Sequence, residues 1–170
     1  AGAQGGIQSY GTATAIGNYQ EIYVEGNYVY NPKIVGIGLD SLTRSRISRN
    51  VVIKKAAYCG DGEPIAFGGS DNLISENYCE NIGTGAAAAI LVYARTAEAA
   101  ENNQVLNNRC TNAGQGIGFV YDGDDSEMNG LMIMGNSCWG NNVGIQSYAV
   151  VGSTSCVQSE VLITGNKLTG

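Results

Sequence analysis

An all-β solenoid of about six stacked coils is the fold that this 170-residue sequence predicts, on three observations. The chain repeats itself with a period of about 28 residues. Within each repeat the apolar residues alternate with period two, as in a half-buried strand, and even AAAAILVYARTAEAAEN is interrupted by that alternation. An asparagine recurs at the same place in every repeat. A short unit of this kind cannot bury a face by itself, whereas stacked units enclose a continuous apolar interior.

Each coil opens with a strand of a first sheet. These strands are GIQSY, GIGLD, IAFG, ILVY, GIGFV and GIQSY, anchored on Ile7, Ile37, Ile65, Ile90, Ile117 and Ile145. A second strand follows and ends at an asparagine, in EIYVEGNYV, SRISRNVV, NLISENYC, NQVLNNRC, LMIMGNSC and VLITGNKL. The asparagines are Asn27, Asn50, Asn77, Asn108, Asn136 and Asn166. Three residues earlier stand Val24, Ile47, Ile74, Val105, Ile133 and Ile163, the inward column of the second sheet. Two residues later stand Val29, Val52, Cys79, Cys110, Cys138 and Leu168, which begin the third. The predicted architecture is three short parallel sheets with an Asn-lined corner. Asparagine is expected there because it tolerates the left-handed backbone region and because stacked amides bond one another along a column. Glycine before it, at Gly26, Gly135 and Gly165, fits a tight bend.

Composition excludes several functions. A net charge of −6 and a pI near 4.5 argue against nucleic acid and anionic membranes as partners. No apolar run is long enough for membrane insertion. Charged residues make up 14% and hydrophobic ones 44%, which favours a packed chain over a disordered one. Histidine is absent, so this chain alone makes no Ser-His-Asp triad, Cys-His pair or His-ligated zinc site. The opening AGAQGG lacks the basic and apolar segments of a signal peptide. Residues 1–170 read as one domain. With no capping segment at Ala1–Gly6 and a stop in mid-coil at Gly170, a fragment of a longer polypeptide, or one with its ends covered by other chains, is expected.

The strand–Asn–strand pattern from Ile7 to Leu168 resembles the right-handed parallel β-helix of the pectate-lyase type. That superfamily includes pectate lyases, polygalacturonases, alginate epimerases, adhesins and phage tailspikes. The polygalacturonase carboxylate and His motifs are missing here. The sequence looks most like a tailspike or polysaccharide-depolymerase segment. This resemblance implies a polysaccharide partner, a homotrimer, and a place on a virion tail or outside the cell. It also implies hydrolysis of a glycosidic bond by two carboxylates, with no cofactor. The same superfamily leaves open a Ca²⁺-dependent lyase with Arg95 as base, and a non-catalytic surface adhesin.

Five cysteines occur and no CxxC. Cys79, Cys110 and Cys138 share one inward position on successive coils. Coils ~4.8 Å apart are close enough for a disulfide. Side chains stacked in parallel point the same way, however, so a buried reduced column is expected. Reduced thiols suit assembly in a reducing cytoplasm, which favours a virion protein over a secreted lyase.

The outward residues of the first sheet form a shelf: Gln8 and Tyr10, Gly38 and Asp40, Ala66 and Gly68, Leu91 and Tyr93, Gly118 and Val120, Gln146 and Tyr148. Tyr93 and Tyr148, with Tyr121 beside them, offer flat faces with polar tips that suit sugar rings. Tyrosine also simply favours strands. The strongest polar cluster is YDGDDSEMNG at 121–130. Asp122 and Asp125 are the preferred catalytic pair, with Glu98 of the neighbouring coil as cross-coil partner and Arg95 as a substrate contact. A glycosidase needs one protonated carboxyl and one base or nucleophile, ~5–5.5 Å apart if retaining and ~6.5–9.5 Å if inverting. Crowded carboxylates raise one another's pKa. The same oxygens could hold Ca²⁺, although the EF-hand pattern fails for want of its sixth-position Gly and twelfth-position Glu. A solvated acidic loop tip is the plain alternative. Trp139, opposite in parity to Cys138, is expected to face outward as a sugar platform or subunit contact, or to cap a gap beneath KKAAYCGDGEP.

Overall fold

The alternating segments wind into a parallel β-solenoid. The computed structural model describes residues 6–9, 19–55, 62–82, 87–95, 99–150 and 155–170. The first sheet stacks Ile7–Ser9, Ile37–Thr43, Ile65–Ser70, Ala88–Arg95, Gln115–Asp122 and Val143–Ala149 in chain order. The second stacks Tyr23–Glu25, Arg46–Ser48, Leu73–Ser75, Gln104–Leu106, Met132–Met134 and Leu162–Thr164. The third stacks Tyr28–Tyr30, Val51–Lys54, Tyr78–Asn81, Arg109–Thr111, Ser137–Trp139 and Lys167–Thr169. Every neighbouring pair is parallel, and no helix occurs among the described residues. The six sequence units wind about five full turns, since six stacked positions enclose five intervals.

A fourth, three-stranded sheet is present where only loops were expected. It consists of Ala99–Glu101, Glu127–Asn129 and Val157–Ser159. The last three coils carry enough chain after the first sheet to form one more strand, and Ala100 and Met128 are buried by it. The Asp122–Glu127 segment is therefore a short turn between two strands, held by the Ser126 hydroxyl donating to the Gly123 carbonyl at 2.7 Å.

Register follows the sequence columns. Val105 pairs with Ile74 and Ile133, and Ile117 with Ile90 and Ile145. Between these rows Leu39, Phe67, Val92 and Phe119 fill the interior. A one-residue slip would turn this whole set outward, so burial itself holds the register.

The six asparagines form a ladder along one corner. The Asn50 backbone N–H donates to Asn77 Oδ1 at 3.0 Å, and the Asn77 N–H donates to Asn108 Oδ1 at 2.9 Å. Asn77 Nδ2 donates to the Ile47 carbonyl of the preceding coil and to Asn108 Oδ1, both at 2.9 Å. The pattern runs from Asn27 to Asn166. Turning a corner removes backbone groups from the sheet ladders, and a buried unpaired group is expensive. The amides supply what the corner removes.

One expectation about this corner is corrected. The left-handed residue is not the asparagine but the one before it: Gly26, Arg49, Glu76, Asn107, Gly135 and Gly165 all have positive φ. This leaves each asparagine free to point inward. A second, shorter ladder lines the preceding corner, where the Ser45 N–H donates to Asn72 Oδ1 at 3.0 Å and the Asn72 N–H to Asn103 Oδ1 at 3.1 Å. Buried Leu131 replaces it in the next coil.

Cys79, Cys110 and Cys138 are register partners on adjacent coils, buried and unbridged. Burial pushes the Cys79 thiol well above its ordinary pKa. Cys59 lies outside the described residues.

Two tests follow from this packing. Replacing Asn77 with Ala strands the Asn50 N–H and the Ile47 carbonyl, so chemical denaturation should show a loss of roughly 2–6 kcal/mol, at ~1–3 kcal/mol for each stranded group. Asn166→Ala, at the more exposed end, should cost less. Thiol reagents should label Cys79, Cys110 and Cys138 only after denaturation, and rapid labelling of all three in the native state would contradict the inward register.

Candidate functional site

The outward face of the first sheet carries a groove of about 380 Å³. Gly38 and Ala66 line it beside the larger Leu91, Tyr93 and Val120, and Ile34, Val35 and Glu63 join them from the segments that enter the sheet. Val35 packs so close to Gly38 that a Cβ there would lie 3.0 Å from it. The strand Ile65–Ser70 contributes Ala66 and then Gly68, which has no side chain. The Tyr93 ring occupies the vacated space, and a Cβ on Gly68 would sit 2.5 Å from that ring. Val120 and Tyr148 continue the same row on the next two coils, in register with Tyr93.

A β-bulge places the first charged residue. The register between Ile37–Thr43 and Ile65–Ser70 shifts between Leu39 and Leu42. Asp40 lies in that interval, where a bulge re-aims side chains. Arg95, two coils on, reaches Asp40 at 3.2 Å. Its guanidinium also lies 4.8 Å from the centroid of the Tyr93 ring. On the coil after Arg95 its register partner is Asp122. Glu63, from the chain entering the sheet, also lines the groove.

The acids differ in environment. Burial raises the pKa of Asp40, and Arg95 opposes that shift without cancelling it. Burial likewise raises Glu63, with its own backbone N–H and the charge of Lys54 pulling the other way. Lys54 is fully buried and donates to the carbonyls of Ile34 and Gly62. Tyr148 is raised by burial first, and then by the negative charges of Glu63 and Asp122. Tyr93 is 7% exposed, and its buried hydroxyl has no hydrogen-bond partner among the described residues. A buried polar atom left without a partner calls for a ligand or water.

Of the residues singled out from the sequence, the groove brings together Tyr93, Arg95, Asp122 and Tyr148. Asp125 stands apart, exposed in the turn that follows Asp122, with φ 55°. Tyr121 points inward into the core, donates its hydroxyl to Gln158 Oε1 at 3.0 Å, and has its pKa pushed up to about 12 by burial. Trp139 is 40% exposed on the third sheet, away from the groove. Glu98 and Tyr10 lie outside the described residues. Asp40 belonged to the outward shelf, but nothing in a single sequence shows that a bulge aims it at Arg95. Glu63 was missed because it precedes the strand and reaches the groove only through the folding-over of its segment.

Comparison with protein-family models, with curated proteins and with solved structures finds no match for this chain. The fold and groove define the class: a parallel β-solenoid with tyrosines and carboxylates on the outer face of one sheet. Among the described residues no helix is long and apolar enough to cross a membrane, and no cluster of His, Cys, Asp and Glu is arranged to hold a metal ion.

The raised acids make stability pH-dependent. A carboxyl with a folded pKa above its unfolded value binds its proton more tightly in the native state. Its contribution is complete below the unfolded pKa and is lost as pH rises through the folded one. Denaturation of the parent should therefore show falling stability from the ordinary glutamate range upward, and Glu63→Gln should flatten part of that slope. An unchanged slope would mean that Glu63 is not shielded in solution.

Proposed function

We propose that this protein binds a polysaccharide in the first-sheet groove and hydrolyses a glycosidic bond there. The observation that carries the reading is the Tyr93 hydroxyl, buried without a partner in a groove that also holds Tyr148 and acids in unlike surroundings. Tyrosine faces pack against the C–H patches of sugar rings, and phenol oxygens bond their hydroxyls. Glu63 is the proton donor, because burial keeps its carboxyl protonated to higher pH. Asp122, exposed at the end of its strand, is the base or nucleophile. Arg95 is tied to Asp40, which speaks for hydrolysis over elimination with Arg95 as base. On this reading the protein works where surface polysaccharides are met, on a virion tail or outside the cell.

Incubation with a panel of bacterial surface polysaccharides should release new reducing ends without ultraviolet-absorbing products. Glu63→Gln and Asp122→Asn should each slow release ~10²–10⁴-fold, as loss of a general acid or base does, with binding retained. Asp125→Asn should leave the rate unchanged. Binding without cleavage in the parent would make the groove an adhesin site, and ultraviolet-absorbing products would establish elimination.

A further inference from the structure

The charges around the groove restrict which sugars it accepts. Asp40, Glu63 and Asp122 line it, and Arg95 is the single cation that does. All nine lysines and arginines of the chain lie within the described residues, so no other cation completes the lining. Arg95 is already engaged, by Asp40 at 3.2 Å and by the Tyr93 ring. Lys54, whose charge reaches Glu63, is fully buried and directed at the Ile34 and Gly62 carbonyls. A sugar carboxylate entering here would lose water and gain no free cation, beside Asp122, a carboxylate of its own sign. A sugar ammonium would find Asp122, which forms no ion pair among the described residues. The Tyr93 hydroxyl adds a site that accepts or donates a hydrogen bond with any sugar.

We propose that the groove takes glycans bearing free amino groups in preference to neutral ones, and excludes uronic-acid polymers. This rests on the reading of the groove as a glycan site, but not on its cleaving anything. The test is titration calorimetry at low salt with three hexamers: glucosamine, N-acetylglucosamine and galacturonic acid. The glucosamine hexamer should bind most tightly, at least about tenfold above the galacturonate hexamer, with the gap closing as salt screens the charges. Asp122→Asn should narrow the difference between the amino and N-acetyl hexamers. A galacturonate hexamer that binds as tightly as either other, or an N-acetyl hexamer that matches the amino one, overturns the charge preference and leaves the groove a glycan site. Failure of all three to bind in the parent protein overturns the glycan reading itself, and the preference with it.

Discussion

The interaction on which the rest depends is the bond between each corner asparagine and the backbone of the neighbouring coils. A solenoid must turn at several corners in every coil, and each turn takes N–H and C=O groups out of the sheets. Burial forbids leaving them unpaired. Asn50, Asn77, Asn108 and Asn136 are almost wholly buried, and their side-chain amides accept from and donate to the backbone of the coil before while donating also to the asparagine of the coil after. The same bonds fix how far each coil may slide over the last. Arg49, Glu76 and Asn107 hold the left-handed conformation that makes this possible, at a steric cost that the ladder offsets.

Once register is fixed, both faces of the first sheet are determined. Inward, isoleucines and phenylalanines stack into the core. Outward, Tyr93, Val120 and Tyr148 fall into one row. The groove's lining is then shaped by departures from regularity: a register shift beside Asp40, and a missing side chain at Gly68 whose space the Tyr93 ring fills. Arg95 crosses the coil that carries Gly68 and joins two coils that are not neighbours. A regular solenoid with a side chain at Gly68 would meet the Tyr93 ring where it now lies. The site therefore depends on the scaffold's exactness everywhere else and on its local irregularity here.

The cysteine column shows the same logic inside the core. Cys79, Cys110 and Cys138 replace Val52 and continue to Leu168 at one inward position. They behave as small apolar residues, and their stacking follows from register alone.

The sequence by itself determined the repeat, the strand period, the inward columns and the line of asparagines, because these are local patterns that recur at a fixed interval. It also placed Asp40, Tyr93 and Tyr148 on the outward shelf, since parity along a strand decides which face a residue takes, and set Arg95 and Asp122 in the segments that follow those strands. Only the tertiary structure decided that Tyr121 turns inward to Gln158, that Asp125 stands clear of the groove, that Glu63 enters it, and that Asp40 meets Arg95 there. Tyr121 and Asp122 adjoin in sequence yet serve opposite faces. Asp40 and Arg95 are far apart in sequence and meet because a bulge and a glycine clear the path between them. Pairings of that kind depend on where the chain deviates from its repeat, and a periodic pattern carries no record of the direction in which a deviation points.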